Sequence, residues 1–202
     1  MDKKIGRTES RILEAAKEQF IRNGLDGTSM QNIADAAAIN KSLLHYYFRS
    51  KEKLFDSVFN YALKRFVPQI HDIVVSDNSI FTRIEMIVNQ YMDMLDENPF
   101  IPLFILHEIH RNPQRPADLL LGSGLDLKLI LRNLIREDDR KLMRPIDPIH
   151  LIVNIISLCV FPYVASPLID QIMFNNRKEL SLKFREERKE EITRFIINAI
   201  SI

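Results

Sequence analysis

The chain has 202 residues, 46% of them hydrophobic, and sets 28 Lys and Arg against 27 Asp and Glu for a net charge of +1. That length buries a substantial core in one large or two small domains, and the near-neutral balance excludes a protein that works through a long, diffuse basic surface. The single cysteine, Cys159, excludes an intramolecular disulfide framework and Cys-x-x-Cys metal sites, which reads as a cytoplasmic chain.

Charge is unevenly placed. Residues 1–55 carry ten Lys and Arg against seven Asp and Glu, and the remainder carries 18 against 20. The N-terminus, Met1-Asp2-Lys3-Lys4, is not followed by the continuous apolar stretch of an export signal, so no export is expected. Ile149 to Ile169 is free of formal charge over 21 residues, close to a membrane span in length. It contains His150, Asn154, Pro162 and Pro167, and it is bounded by Asp147 and Asp170 rather than by Lys or Arg. No membrane partner is expected. A soluble helix this apolar must be covered on two sides, by its own core and by a partner subunit.

Helical spacing recurs along nearly the whole chain and strand alternation does not, which predicts an all-α fold. Thr8 is expected to cap a first helix with Ile12, Leu13, Ala16 and Phe20 on its apolar face, and Gly24 to stop it in a left-handed conformation. Thr28 is expected to cap a second helix in a capping box with Gln31, burying Met30, Ile33, Ala34 and Ala37. Asn40 caps a short third helix, Lys41 to Tyr47, by accepting from the Leu43 amide. Ser50 caps a fourth, Lys51–Val67, whose apolar face is Leu54, Phe55, Val58, Phe59, Ala62 and Phe66. Further helices are expected near Ile80–Glu97, Pro99–Arg111, Pro116–Arg136, Pro148–Asp170 and Asn176–Ile200. Their prolines suit first-turn positions, and Gly122-Ser123-Gly124 breaks or kinks the third of them.

Two short helices joined around Ala37-Ala38-Ile39 have the geometry of a helix-turn-helix, in which the second helix enters the major groove of DNA. Small Ala34, Ala36 and Ala37 allow a close crossing, and Ile33, Ile39 and Leu44 fill the space between the helices. Thr28 and Ser29 stand at a helix N-terminus, where hydroxyl and amide groups suit a phosphate oxygen. Lys41, Ser42, His45 and Tyr46 project from the second helix toward base acceptors or phosphates, and Leu43 toward a thymine methyl. Lys51 and Lys53 are placed for backbone phosphates. Tyr47 and Phe48 are expected in the core.

Arg11-Ile12-Leu13-x-Ala15-Ala16, Phe20, Gly24, Thr28-Ser29, Ile33-Ala34-x-Ala36-Ala37, Leu44, Tyr47-Phe48 and Ser50-Lys51-Glu52-x-Leu54-Phe55 together resemble the N-terminal domain of the TetR family. The likeness covers about residues 7–66. It implies a three-helix DNA-binding domain at 7–66, joined by a long helix to a helical ligand-binding and dimerisation domain at 67–202. It also implies a homodimeric transcription regulator, usually a repressor, released from a palindromic double-stranded DNA operator by a small-molecule effector. The chain departs from the family pattern at Ala38, where the turn usually has Gly, at Ser42, a frequent Gly position, and in its His45-Tyr46 order. A positive φ at Ala38 would cost on the order of 1 kcal/mol.

In the second half, Phe104, His107, Met143, Cys159 and Tyr163 are expected to line an apolar effector cavity. His107 and His110 share a helix face but do not complete a coordination sphere, so no metal and no cofactor is expected. The helix Leu151–Val164 and the final helix are expected to form a four-helix dimer interface through Ile152, Ile156, Val160, Phe184, Ile192, Phe195, Ile196 and Ala199. The helix at 51–67 would couple effector to DNA. The chain contains no nucleophile elbow, P-loop, dinucleotide fingerprint or zinc-protease motif, so it is not expected to be an enzyme.

Overall fold

The computed structural model describes residues 6–202; the Met1-Asp2-Lys3-Lys4 segment weighed above as an export signal lies outside the described residues. Eleven α-helices and one 3₁₀ turn account for the described secondary structure, apart from an isolated antiparallel bridge between Met143 and Ser201. They are α1 (Arg7–Gly27), α2 (Met30–Ala36), α3 (Lys41–Tyr47), α4 (Lys51–Val75), α5 (Ile80–Glu97), α6 (Phe100–Arg111), α7 (Gln114–Gly122), α8 (Leu127–Leu134), α9 (Pro148–Val164), α10 (Ser166–Ile172) and α11 (Lys178–Ile200). The chain divides into two compact units, one of residues up to Lys64 together with Asn98–Ser123, the other of Arg65–Glu97 with Gly124–Ile202.

Several boundaries differ from expectation for local reasons. The first helix begins at Arg7, with Gly6 in the cap position, and takes in Thr8, which therefore is not its cap. Gly24 adopts φ 67° and ψ 178°, an extended left-handed geometry that breaks the helical run as expected. α4 does not stop at Val67 but passes through Pro68 to Val75. Proline lacks the amide that would bond the carbonyl of Lys64, so the helix tolerates it by giving up one bond. The helix at 116–136 breaks at Gly122-Ser123-Gly124 as expected, giving two: α7 ends at Gly122, and Asp126 caps α8 by accepting from the Leu129 amide at 2.9 Å. The expected helix at 148–170 is also two, parting at Ala165. No single described helix is long and apolar enough to cross a membrane; α9 and α10 pass that test only together, and they meet at 64°.

In the first unit an aromatic cluster joins three helices. The Phe20 ring of α1 meets Phe55 of α4 edge-on at 5.0 Å, and Phe55 in turn meets Phe100 and Phe104 of α6 at 5.6 and 4.2 Å. Such pairs add roughly 0.5–1.5 kcal/mol each to their area burial. In the second unit the core is the buried stripe Ile80, Ile84, Val88, Met92 and Leu95 of α5, against Leu151, Ile155 and Cys159 of α9 and Ile192, Ile196 and Ile200 of α11. The end of α4 is closed by two cations. Fully buried Arg83 donates to the carbonyls of Val74 and Asn133 and to the Asp139 carboxylate. Arg136 donates to the carbonyls of Val74 at 2.8 Å and Ser76 at 2.6 Å. Cations at a helix C-terminus satisfy carbonyls that have no amide partner and oppose the negative end of the dipole.

Candidate DNA interface

The N-terminus of α2 is built one residue later than the sequence suggests. Ser29, not Thr28, is the cap, accepting from the Asn32 amide at 3.1 Å while the Asn32 side chain takes the Ser29 amide at 3.2 Å. The capping box is therefore Ser29 with Asn32, and Gln31 instead donates to Asp35. Thr28 is buried, its hydroxyl placed against the carbonyls of Gly24 at 2.7 Å and Gln19 at 3.1 Å. It ties the loop to α1, and Ser29 is the exposed hydroxyl at the helix start.

The turn between α2 and α3 is a Schellman motif. The amide of Ile39 donates to the carbonyl of Ala34, and that of Ala38 to Asp35, each at 3.0 Å. This pattern needs a left-handed residue after the helix cap Ala37, and Ala38 supplies it at φ 50°, as expected. Arg11 of α1 donates to the Ala37 carbonyl at 2.6 Å, so the first helix holds the turn by a charge-assisted bond. Arg11 figured in the sequence only as part of the family likeness, and no local pattern pointed to this bond. Ile33, Ala34, Ala37 and Leu44 are buried at the crossing, whereas Ala36 faces solvent and Met30 is half-buried.

Asn40 caps α3 as the spacing predicts, accepting from the Leu43 amide at 2.7 Å. Only Leu44 of this helix is buried, and Phe48 follows it into the core. Lys41, Ser42, Leu43, His45 and Tyr46 are all exposed, Tyr46 to 81%. Tyr47 departs from expectation. It is 39% exposed and stacks edge-on with Tyr46 at 5.5 Å, because a helix of seven residues has room to bury one narrow stripe. Ser50 caps α4 through the Lys53 amide at 3.2 Å. Lys53 is exposed, while Lys51 donates to the carbonyl of Leu25 at 2.8 Å and so closes the end of α1.

The residues expected around an effector are distributed over both units. Phe104 belongs to the aromatic cluster of the first unit with Arg115 over its ring, and His107 is exposed. Met143, Cys159 and Tyr163 are buried in the second unit, where the Tyr163 hydroxyl donates to the Asp96 carboxylate. Of the residues expected at a dimer interface, Ile156, Phe195 and Ala199 are exposed and Ile152, Val160 and Phe184 half-buried. Ile192 and Ile196 are packed inside the unit, which assigns them to its core.

An exposed short helix set by a left-handed turn behind a capped first helix defines a helix-turn-helix DNA-binding protein. Residues 12–58 match the family model described as bacterial regulatory proteins, tetR family. The regulator UidR of Escherichia coli K12 is 30% identical over 134 residues, 66% of this chain and 67% of that protein. The repressor NicS of Pseudomonas putida is 40% identical over 60 residues, 30% of this chain and 28% of that one. Among solved structures, HlyIIR, a hemolysin II transcriptional regulator, superposes with a TM-score of 0.63 at 23% identity, covering 97% of this chain and 98% of its own. A TetR/AcrR-family regulator from Thermobifida fusca gives 0.63 at 20% identity over 94% and 96%. The chain belongs to the TetR family and is a DNA-binding transcriptional regulator.

Proposed function

We propose that this chain is a homodimeric cytoplasmic repressor, not an enzyme, which grips a palindromic operator with two copies of the Thr28–Phe48 element and leaves it when a small molecule binds. The observation that carries this reading is the face of α3, where Lys41, Ser42, Leu43, His45 and Tyr46 all stand exposed, with only a long 3.4 Å approach of the His45 ring to the Arg49 carbonyl and the Tyr46–Tyr47 ring contact among them. In this reading residues 7–66 are the DNA-binding domain and 67–202 bind effector and partner. Ser29, Lys51 and Lys53 set the register on phosphates, with Thr28 holding the loop that presents Ser29. Lys41, Ser42, Leu43, His45 and Tyr46 read the groove.

Two relatives, NicS and KstR2 of Mycobacterium tuberculosis, are named repressors, which supports repression here. The apolar surface left on the second unit supports a partner copy: Val153 and Ile156 of α9 are 52% and 43% exposed, and Phe195 of α11 65%. Ile152, Val160, Phe184 and Ala199 complete that face, over Ile192 and Ile196. For the effector, Cys159 and Tyr163 lie four residues apart on one face of α9 and, like Met143, are buried in the second unit, which supports these three as its contacts there. Three chain crossings join the units, within α4 and at Glu97–Asn98 and Ser123–Gly124. An effector that prefers one arrangement of these joints shifts the spacing of the two DNA-reading helices.

Selection of bound duplexes from a random pool tests the reading. Two inverted half-sites about one helical turn apart, with a dimer mass by sedimentation, are the expected result. Absence of any enriched sequence, or a single half-site bound by a monomer, would overturn it.

A further inference from the structure

The start of α11 and the end of α10 enclose a cleft of about 270 Å³. Arg177, Lys178 and Arg185 line it against one carboxylate, Asp170, a strongly cationic balance in a chain of net charge +1. Asp170 does not neutralise the group. It reaches Arg185 only at 3.9 Å, and both side chains are partly in solvent, so the pairing is loose. Arg177 spends one nitrogen on the Phe174 carbonyl at 3.4 Å, which leaves the rest of its fork for another acceptor.

The backbone adds to this charge. Asn175 and Asn176, at φ 50° and 58°, turn the chain back, and the Asn176 amide fastens to the Asp170 carbonyl at 2.8 Å. α11 then begins after Arg177 with no side-chain cap, so the positive end of a 23-residue helix dipole faces the cleft, with Glu179 the one acidic residue of its first turn. A helix start alone is not a site. The independent feature is Ser181, which lines the same cleft at 8% exposure. Its amide is taken by the Arg177 carbonyl at 3.3 Å, but among the described residues its hydroxyl pairs with no protein group. A hydroxyl with no protein partner among the described residues, on a mostly buried serine that lines the cleft beside three cations and a helix N-terminus, suits an oxygen-rich anion from outside the protein.

We infer that this cleft binds an oxyanion, the phosphate or carboxylate of a small metabolite, paired by Arg177 and Arg185 and receiving a hydrogen bond from Ser181. Leu182, also at the wall, covers the apolar remainder of the ligand. Binding here does not depend on the operator-release reading, since it is measured on the protein without DNA.

The test is calorimetric titration of the full chain with inorganic phosphate, glycerol phosphate and succinate, each at ionic strength matched with chloride. Saturable heat with at least one of the three is expected, and which ones bind separates phosphate from carboxylate. Arg177→Gln and Arg185→Gln should each weaken it about tenfold, the loss of one charge-assisted pair. Ser181→Ala, which adds no bulk, should weaken it severalfold with an unchanged melting curve. Lys141→Gln removes an exposed cation paired only with Asp138, and it should bind as the parent does. No saturable heat with any probe, or equal weakening by Lys141→Gln, would overturn the assignment.

Discussion

Arg115 of α7 donates to the carboxylate of Asp56 on α4 at 2.7 Å across 59 residues of sequence. The same guanidinium reaches Glu108 of α6 at 3.2 Å, and Glu108 is only 5% exposed. One side chain thus fastens α6 and α7 to the helix that follows the recognition helix, which is why residues 98–123 belong to the first unit. Removing one partner of a buried carboxylate is costly because the charge is left without compensation. Arg115→Met should therefore destabilise the protein in urea unfolding, by less than the roughly 3 kcal/mol of a fully buried broken pair because Arg111 still lies 3.8 Å from Glu108. Asp56→Asn, at a site one-third exposed, should cost well under half as much. Equal costs would mean that Asp56, not Glu108, is the dominant partner.

The Schellman turn carries strain that a single change relieves. Ala38 at φ 50° has a Cβ where the left-handed region crowds it, a penalty of about 1–2 kcal/mol, partly offset because glycine loses more freedom on folding. Ala38→Gly should raise stability by about 0.5–1 kcal/mol without altering operator sequence preference. Differential scanning calorimetry with a binding-site selection checks both parts. Loss of stability would show that Arg11 and the two turn hydrogen bonds already compensate the strain.

Much of this architecture was legible because it depends on neighbours in sequence. Asn40 capping Leu43, Ser50 capping Lys53, Gly24 ending the first helical run and Ala38 at positive φ all follow from residues within a few positions of each other. The misreadings have the same root. Thr28 and Ser29 both satisfy cap chemistry, and the choice fell to Ser29 because Thr28 is drawn inward by carbonyls of α1, a tertiary contact. Nothing in the local sequence around Arg83, Arg136 and Arg115 marks them out, and only folding reveals that each closes a helix end or answers a buried carboxylate. Ile192 and Ile196 were equally apolar candidates for core and interface, and spacing alone does not separate a stripe facing inward from one facing a partner.

Two neighbouring lysines on α4 should behave differently on DNA. Lys53 is exposed, and its replacement should remove one phosphate contact. Lys53→Ala is expected to weaken binding to all duplexes alike and to flatten the slope of log affinity against log salt by about 0.9. Lys51 is committed to the carbonyl of Leu25, so Lys51→Ala should also lower thermal stability. Fluorescence anisotropy at several salt concentrations, beside melting curves, reads both effects. An unchanged slope for Lys53→Ala would remove it from the interface.

Cys159 should be chemically silent in the native protein. It is fully buried at the centre of α9, and burial pushes its thiol up to about 12, with the positive charge of Arg188 pulling the other way without overcoming it. An ordinary thiol titrates near 8.5, so at pH 8 the folded protein holds roughly a thousandth of the thiolate that the unfolded chain holds. Iodoacetamide labelling at pH 8 should be slower by about that factor in buffer than in denaturant. The direction for stability follows. Because the folded thiol is raised, its contribution is fully present below about pH 8.5 and is lost as pH climbs toward 12. Burial raises Tyr163 and Tyr91 as well, so they add to the decline at the alkaline end. Melting temperatures from pH 8 to 11 should therefore fall more steeply for the parent than for Cys159→Ala. Equal slopes would leave the alkaline loss to the tyrosines, and rapid native labelling would mean that α9 opens to solvent.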